Sequence, residues 1–180
     1  MRIIRKLLII YFSIFSISLF IQSCCHESYK IIGKGEIGAY TDYYNPKNKT
    51  DTIKGEFYII WQLEQKTSSL HNNFGLIQST YATSCSETFE NEVSESGFSI
   101  SCNKDFKYNG ILITAGTNFS DFEELKLHIE KKWGAVEIRF TNEFINLSEF
   151  EETDYTFKVN TKTNDNMNLE NTLTVFMKIN

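Results

Sequence analysis

The chain is poor in the residues that build metal centres and catalytic dyads. Among 180 residues there are three histidines, four cysteines and one proline. His26, His71 and His128 form no pair at metal-ligand spacing, such as i and i+4 on a helix, which argues against a histidine-based metal site. Two of the cysteines, Cys24 and Cys25, are adjacent near the start, and no histidine or third thiolate lies near Cys85 or Cys102. No Gly-x-Ser-x-Gly elbow occurs, and no cysteine stands in a catalytic signature. No internal repeat or domain linker divides the chain. A basic stripe is missing too. The protein carries 18 Lys and Arg against 23 Asp and Glu, the wrong balance for displacing counterions from a nucleic acid. No metal, cofactor, nucleotide or nucleic-acid partner is therefore expected.

What is present begins at the N-terminus. Met1 to Lys6 is positive, Leu7 to Ile21 is apolar, and Gln22-Ser23-Cys24-Cys25 follows. A positive start, an apolar middle and a small residue at a cleavage point make a secretory signal peptide. Ile21-Gln22-Ser23-Cys24 resembles the lipobox of bacterial lipoproteins. That resemblance implies diacylglyceryl transfer to the Cys24 thiol and cleavage before it. Cys25 fits less well, because Gln22 would then occupy the branched position. The alternative is a signal anchor retained as a transmembrane helix. Leu7 to Ile21 is 15 residues with three serines, short of the roughly 18–20 needed to cross a bilayer. The expected organisation is a signal peptide at 1–23, a lipidated tether at 24–28 and one β-sandwich domain at 29–180. Loss of Arg2, Arg5 and Lys6 leaves 15 basic side chains against 23 acidic, a net charge near −8. An acidic domain is not held to an anionic membrane by charge, so the lipid is the anchor. The expected location is the bacterial envelope, most naturally the outer membrane.

From Tyr29 onward the pattern is that of strands. Tyr29, Ile31 and Ile32 precede a glycine-rich bend, and Ile37, Ala39 and Tyr40 follow it. Tyr44-Asn45-Pro46-Lys47-Asn48 is a turn. Thr52 to Leu63 reads as one long central strand with Trp61 as a core anchor. Phe74 to Thr83 reads as a further strand, and Ser84 to Gly97 as an exposed acidic excursion. Phe98, Ile100 and Cys102 alternate, Asp105 to Asn109 turns, and Gly110 to Thr114 is a short strand. Ser120-Asp121-Phe122-Glu123 has capping-box spacing, which predicts a helical turn from Ser120. Residues 124–130 fit helix or strand, and a strand is preferred. Val136, Ile138 and Phe140 alternate, and Leu147 to Phe150 reads as a helical turn. Tyr155, Phe157 and Val159 and then Leu173, Val175, Met177 and Ile179 predict a hairpin whose loop spans Asn160 to Thr172. Seven or so short strands point to an all-β, antiparallel sandwich of immunoglobulin-like type.

Cys85 and Cys102 face an oxidising compartment if the chain is exported. A bridge between them would close a loop worth on the order of 3 kcal/mol; two free thiols are the alternative. The bridge predicts that the Phe98–Cys102 strand returns beside the strand ending at Ser84.

The pattern as a whole resembles a family of uncharacterised lipoproteins from Bacteroidetes-type bacteria. The shared features are the Ser-Cys-Cys start, a tyrosine-rich first strand, the Cys85 loop and Asn103-Lys104-Asp105-Phe106. Ala115-Gly116-Thr117-Asn118-Phe119-Ser120-Asp121, then Leu147-Ser148-Glu149-Phe150 and a closing hairpin complete the order. The resemblance implies a lipid anchor and a β-rich fold, and no catalytic residue.

Motifs with a chemical reading have ordinary explanations beside them. Gly33-Lys34-Gly35-Glu36-Ile37-Gly38 matches G-x-G-x-x-G, which works when a helix opens at its end. Here strand and turn follow, so glycines marking a bulge are expected and no nucleotide. Glu149, Glu151, Glu152 and Asp154 cluster, as do Asp121, Glu123 and Glu124. Glycosidases use two carboxyls at a set separation, but solvated turns produce such clusters in any acidic chain. Asn164-Asp165-Asn166-Met167-Asn168 resembles a calcium loop without its glycine and glutamate, so a hairpin tip is expected. The expectation is a non-enzymatic, lipid-anchored module that binds an envelope protein or glycan through exposed loops. Tyr40, Tyr43 and Tyr44 are the candidate contact aromatics, with packing at the sandwich edge as their alternative. The second possibility is a secreted, carboxylate-dependent hydrolase acting on glycans, and the third a structural component with no ligand.

Overall fold

The computed structural model describes residues 4–6, 8–13, 26–41, 48–69, 86–94, 96–122, 124–125, 127–132 and 134–178. Two compact units divide the chain, Met1–Tyr29 with Thr67–Glu90, and Lys30–Lys66 with Asn91–Asn180. The boundaries fall inside β1 (His26–Tyr40) and β4 (Phe57–Ser69).

In the first unit, residues 4–6 and 8–13 are helical. No helix among the described residues is long and apolar enough to cross a membrane. β5 (Ser86–Phe89) pairs in parallel with β1 from His26 to Tyr29, and Tyr29 stacks on Phe89 at 5.4 Å. Two expectations change here. Residues 26–28, read as tether, open a strand. Within the stretch read as an exposed excursion, Ser86–Phe89 is a paired strand and Glu90 N donates to Tyr29 O at 2.8 Å, while Glu90, Glu92, Ser96 and Gly97 are exposed as expected.

The second unit holds a sandwich of two sheets. One has the order β2 (Lys49–Thr50), β1, β4, β10 (Ala135–Phe140), β9 (His128–Lys132). The other runs β3 (Thr52–Ile53), β13 (Asn168–Met177), β12 (Asp154–Lys162), β6 (Ser99–Cys102). The order β1-β4-β10-β9 against β6-β12-β13 is that of the two sheets of an immunoglobulin-type sandwich. Strict alternation buries Val136, Ile138 and Phe140 on one strand and Tyr155, Phe157 and Val159 on the other. Phe140 stacks on Phe57 of β4 at 4.3 Å, and both reach Phe157 of the facing sheet, at 5.4 and 6.2 Å. Each such ring pair adds about 0.5–1.5 kcal/mol beyond the area it buries. Trp61 is fully buried; its indole N–H donates to the Lys34 carbonyl.

That carbonyl directly precedes a glycine in the left-handed region. Gly35 has φ +54°, and a β-carbon there would collide with the Gln62 carbonyl. The G-x-G-x-x-G match is thus strand backbone pressed against β4, as expected.

The long strand expected over Thr52–Leu63 is two strands in two sheets. β3 pairs in parallel with the end of β13, Phe176 opposite Thr52 and Met177 opposite Ile53. The chain then crosses at Lys54-Gly55 to begin β4. The expected turn at Asp105–Asn109 is largely β7 (Phe106–Tyr108); the reversal is Asn109-Gly110, both at positive φ, leading into β8 (Ile111–Ile113). The short helical segment at Phe119–Asp121 is capped by Asn118, whose side chain accepts from Ser120 N, two residues before the expected cap. In the second unit an α-helix, α1 (Asn142–Leu147), precedes β11 (Ser148–Glu149), so the helical turn ends where it was expected to begin. β11, β7 and β8 form a small third sheet. The final hairpin is longer than expected, since β12 and β13 stay paired from Asp154–Phe176 to Lys162–Asn168. Thr161 and Thr163 are buried in that extension. The tip is a turn in which Asp165 accepts from the hydroxyl of Thr163. The strand expected at Phe74–Thr83 lies outside the described residues.

Tyr155 opens β12 and closes a tyrosine corner of the immunoglobulin kind. Its hydroxyl accepts from Glu151 N at 3.1 Å and donates to Asp105 O at 3.3 Å. Burial holds its ionisation above the ordinary tyrosine range.

Candidate functional site

The sequence-derived candidates are not brought together. Cys24, Cys25, Cys85, Tyr43 and Tyr44 lie outside the described residues. Tyr40 is half-buried at the end of β1, its hydroxyl lying over Gly38, so it packs along the strand edge. Cys102 is a free thiol, 2 % exposed. The expected bridge to Cys85 is thereby corrected. The Cys102 side chain points into the core, its Sγ donates to the Lys104 carbonyl at 3.0 Å, and its strand pairs with β12. Burial pushes this thiol up to about 11.

Of the clustered acids, Asp121, Glu124, Glu149, Glu151, Glu152 and Asp154 are exposed, and Glu123 lies outside the described residues. Glu149 pairs with Lys107 at 3.4 Å, and Asp121 accepts from Asn118 at 3.0 Å. His128 is exposed beside Glu130 at 3.2 Å. Among the described residues no group of three His, Cys, Asp or Glu is placed to hold a metal.

A different feature has the shape of a site. At one end of the sandwich, a cleft of about 230 Å³ lies between the β3–β13 edge and α1. Its apolar lining residues are Ile53, Ile145, Phe150 and Met177, of which only Ile145 is more than marginally exposed, and its polar ones are Lys54, Asn146, Ser148 and Lys178. Each wall has a local cause. Lys178 N donates to Ile53 O at 2.8 Å, extending the parallel ladder and setting Lys178 beside the crossing at Lys54. Thr141 caps α1 by accepting from Phe144 N at 3.2 Å, the usual device for an orphan helix-start N–H. Ser148 closes the helix by donating to Phe144 O at 2.7 Å.

The acid adjacent in this crossing is taken out of play. Glu56 accepts from Arg139 Nε at 2.7 Å, Tyr58 Oη at 2.9 Å and Asn142 Nδ2 at 3.1 Å. Burial opposes ionisation of Glu56, but these donors outweigh it and hold the carboxyl below its ordinary value. Glu56 N also donates to Asn142 Oδ1 at 3.3 Å, tying the chain just before β4 to the start of α1. The residues lining the cleft include two lysines, Lys54 and Lys178, and no Asp or Glu. Among the described residues, the side chains of Lys54, Asn146 and Lys178 have no hydrogen-bond or ion-pair partner. They are exposed and available.

Residue spacing could not have found this site, because Lys54 and Lys178 meet only through the parallel β3–β13 pairing. A second hollow, about 350 Å³, is lined by Gly97, Phe98, Ser120, Ile129 and Lys131. There the ammonium is already engaged, 5.7 Å over the Phe98 ring and donating to Ser94 O at 3.1 Å.

No protein-family model matches the chain, and no curated protein matches it.

Proposed function

We infer that this protein is a lipid-anchored envelope module that binds a partner without catalysing a reaction on it. The anchor reading rests on Met1 to Cys24, whose charged start, apolar run and Ile-Gln-Ser-Cys end fit lipidation at Cys24. The binding reading rests on one observation. The side chains of Lys54, Asn146 and Lys178 are exposed, have no hydrogen-bond or ion-pair partner among the described residues, and line one cleft beside the β3–β13 edge and α1. Polar side chains left unpaired at a cleft are open to a partner's polar groups, and loops at sandwich ends carry recognition in this architecture.

The test is saturable capture. Immobilised protein should retain solubilised envelope material from its own cells to a plateau. Charge reversal at Lys54→Glu with Lys178→Glu should abolish retention, while Lys158→Glu on the far side of β12 should leave it intact. Retention that ignores both changes would contradict the assignment of the cleft.

A further inference from the structure

Asn109-Gly110 is the one Asn-Gly pair in the sequence, and the fold sets it at the tip of the β7–β8 hairpin. Tyr108 pairs with Ile111 across it, so the loop is two residues long. Asn109 has φ +48° and Gly110 φ +79°, the signs of a type I′ turn. Both residues are exposed, and a β-carbon built on Gly110 would meet nothing within 4 Å. Among the described residues, neither the Asn109 carboxamide nor the Gly110 N–H has a hydrogen-bond partner. The Asn109 N–H is held instead, donating to Leu147 O at 2.7 Å.

Asparagine is a thermally labile residue, because the backbone nitrogen that follows it can attack its side-chain carbonyl carbon. That attack needs the nitrogen to swing toward Cγ. Flipping the central peptide of the turn does this, carrying type I′ toward type II′, which keeps φ positive at the first central residue alone. Among the described residues no hydrogen bond engages the Gly110 N–H or the Asn109 carbonyl, so the flip breaks none. Glycine accepts the reversed φ without steric cost. Asn166 is the internal comparison. It too is exposed, at φ +70°. Its successor is Met167, which carries a side chain and whose N–H donates to Thr163 Oγ1 at 3.1 Å.

We propose that Asn109 is a site of spontaneous deamidation in the folded protein, and that the β7–β8 hairpin thereby acts as a slow chemical clock. The Gly110 nitrogen attacks Asn109 Cγ, a C–N bond forms, and the carboxamide nitrogen leaves as ammonia with the Gly110 proton. Water opens the resulting cyclic imide at either carbonyl, giving aspartate or isoaspartate; no oxidant or reductant takes part. Both products add negative charge to the tip. Isoaspartate also routes the main chain through the side-chain methylene, and a two-residue loop sets the register of its strands. The lengthened loop strains the pairing that seats Tyr108 and Ile113, both buried, with Tyr108 stacked on Phe144 at 5.3 Å.

The experiment ages the full chain in detergent, folded, in warm and mildly alkaline buffer. Fragmentation mass spectrometry of digests follows Asn109 and Asn166, and methyl transfer from S-adenosylmethionine by an isoaspartate methyltransferase reads isoaspartate. Asn109 should be lost about tenfold or more faster than Asn166, with methyl label rising in step. Asn109→Gly keeps a residue suited to the turn and removes the reactive amide, so it should gain no label at this peptide. The melting temperature of aged wild type should fall below its fresh value, while that of aged Asn109→Gly should hold. An Asn109 amide that outlasts the incubation in the folded chain would overturn the proposal, whether or not the urea-unfolded chain loses it. Equal loss at Asn109 and Asn166, or equal label in the glycine variant, would overturn it too. An equal fall in melting temperature for both proteins would refute the hairpin as the clock.

Discussion

Replacing Tyr155 by phenylalanine removes one oxygen atom and separates the tyrosine corner from the packing around it. The ring is fully buried and meets Phe150 edge-on at 5.1 Å, and phenylalanine keeps that contact. What is lost is an acceptor for Glu151 N and a donor to Asp105 O. Leaving a buried polar group unpaired costs about 1–3 kcal/mol. Glu151 and Asp105 lie on exposed turns, so water recovers part of the loss, and about 1–2 kcal/mol is expected. For a domain of this size that lowers the melting temperature by about 2–8 °C. Tyr155→Ala removes the ring as well and should cost about 3–5 kcal/mol. Urea unfolding followed by tryptophan fluorescence measures both. A second reading comes from alkali. The raised ionisation of Tyr155 means its contribution is complete below the ordinary tyrosine value and is lost as pH rises through the folded-state value. The phenylalanine variant should lack that part of the alkaline decline. A phenylalanine variant as stable as wild type, or one as damaged as the alanine variant, would refute the corner as an independent contributor.

Three further outcomes are expected. Asn91 is buried, and its side chain accepts from Ile31 N at 2.7 Å and donates to Ile31 O at 3.1 Å; Asn91→Ala should destabilise by about 1–3 kcal/mol in denaturant titration. Cys102 should resist iodoacetamide near pH 8 in the folded protein and react once unfolded, read by mass. Its thiol is raised to about 11 by burial, so its share of stability is complete below the ordinary thiol value and fades as pH climbs toward 11. Cys24→Ala should abolish palmitate labelling and release the protein from membranes, whereas continued labelling would place the lipid elsewhere.

Strands with clean two-residue alternation were legible before any coordinates, because one face is buried and the other wet. Val136 to Phe140 and Tyr155 to Val159 are the clearest cases. The close approach at Gly35 was legible in kind, since glycines inside a strand pattern mark a close approach of another backbone. The switch of sheets at Lys54-Gly55 was not. Ile53 and Phe57 are both buried apolar residues, and periodicity cannot tell one long strand from two that serve different sheets. α1 was displaced in the reading because its cap, Thr141, lies directly after a strand, while the apolar residues of Leu147 to Phe150 drew attention downstream. The hairpin loop was overestimated because Thr161 and Thr163 are polar by composition yet buried. Cys102 alternates with Ile100 and Phe98 as a core residue would, and the thiol's packing, not its chemistry, accounts for its position. The cleft depends on a parallel pairing between residues at opposite ends of the domain, which no local signal encodes.

The central claim is that the Lys54–Asn146–Lys178 end of the sandwich is where the protein meets its partner. Site-specific photo-cross-linking in living cells tests it most directly, with p-benzoylphenylalanine placed at Asn146 and, separately, at Thr172 on the exposed face of β13. A discrete ultraviolet-dependent adduct from position 146, absent from position 172 and lost when Lys54 and Lys178 are both changed to glutamate, is the predicted result. Adducts of equal yield from both positions, or none from position 146, would contradict it.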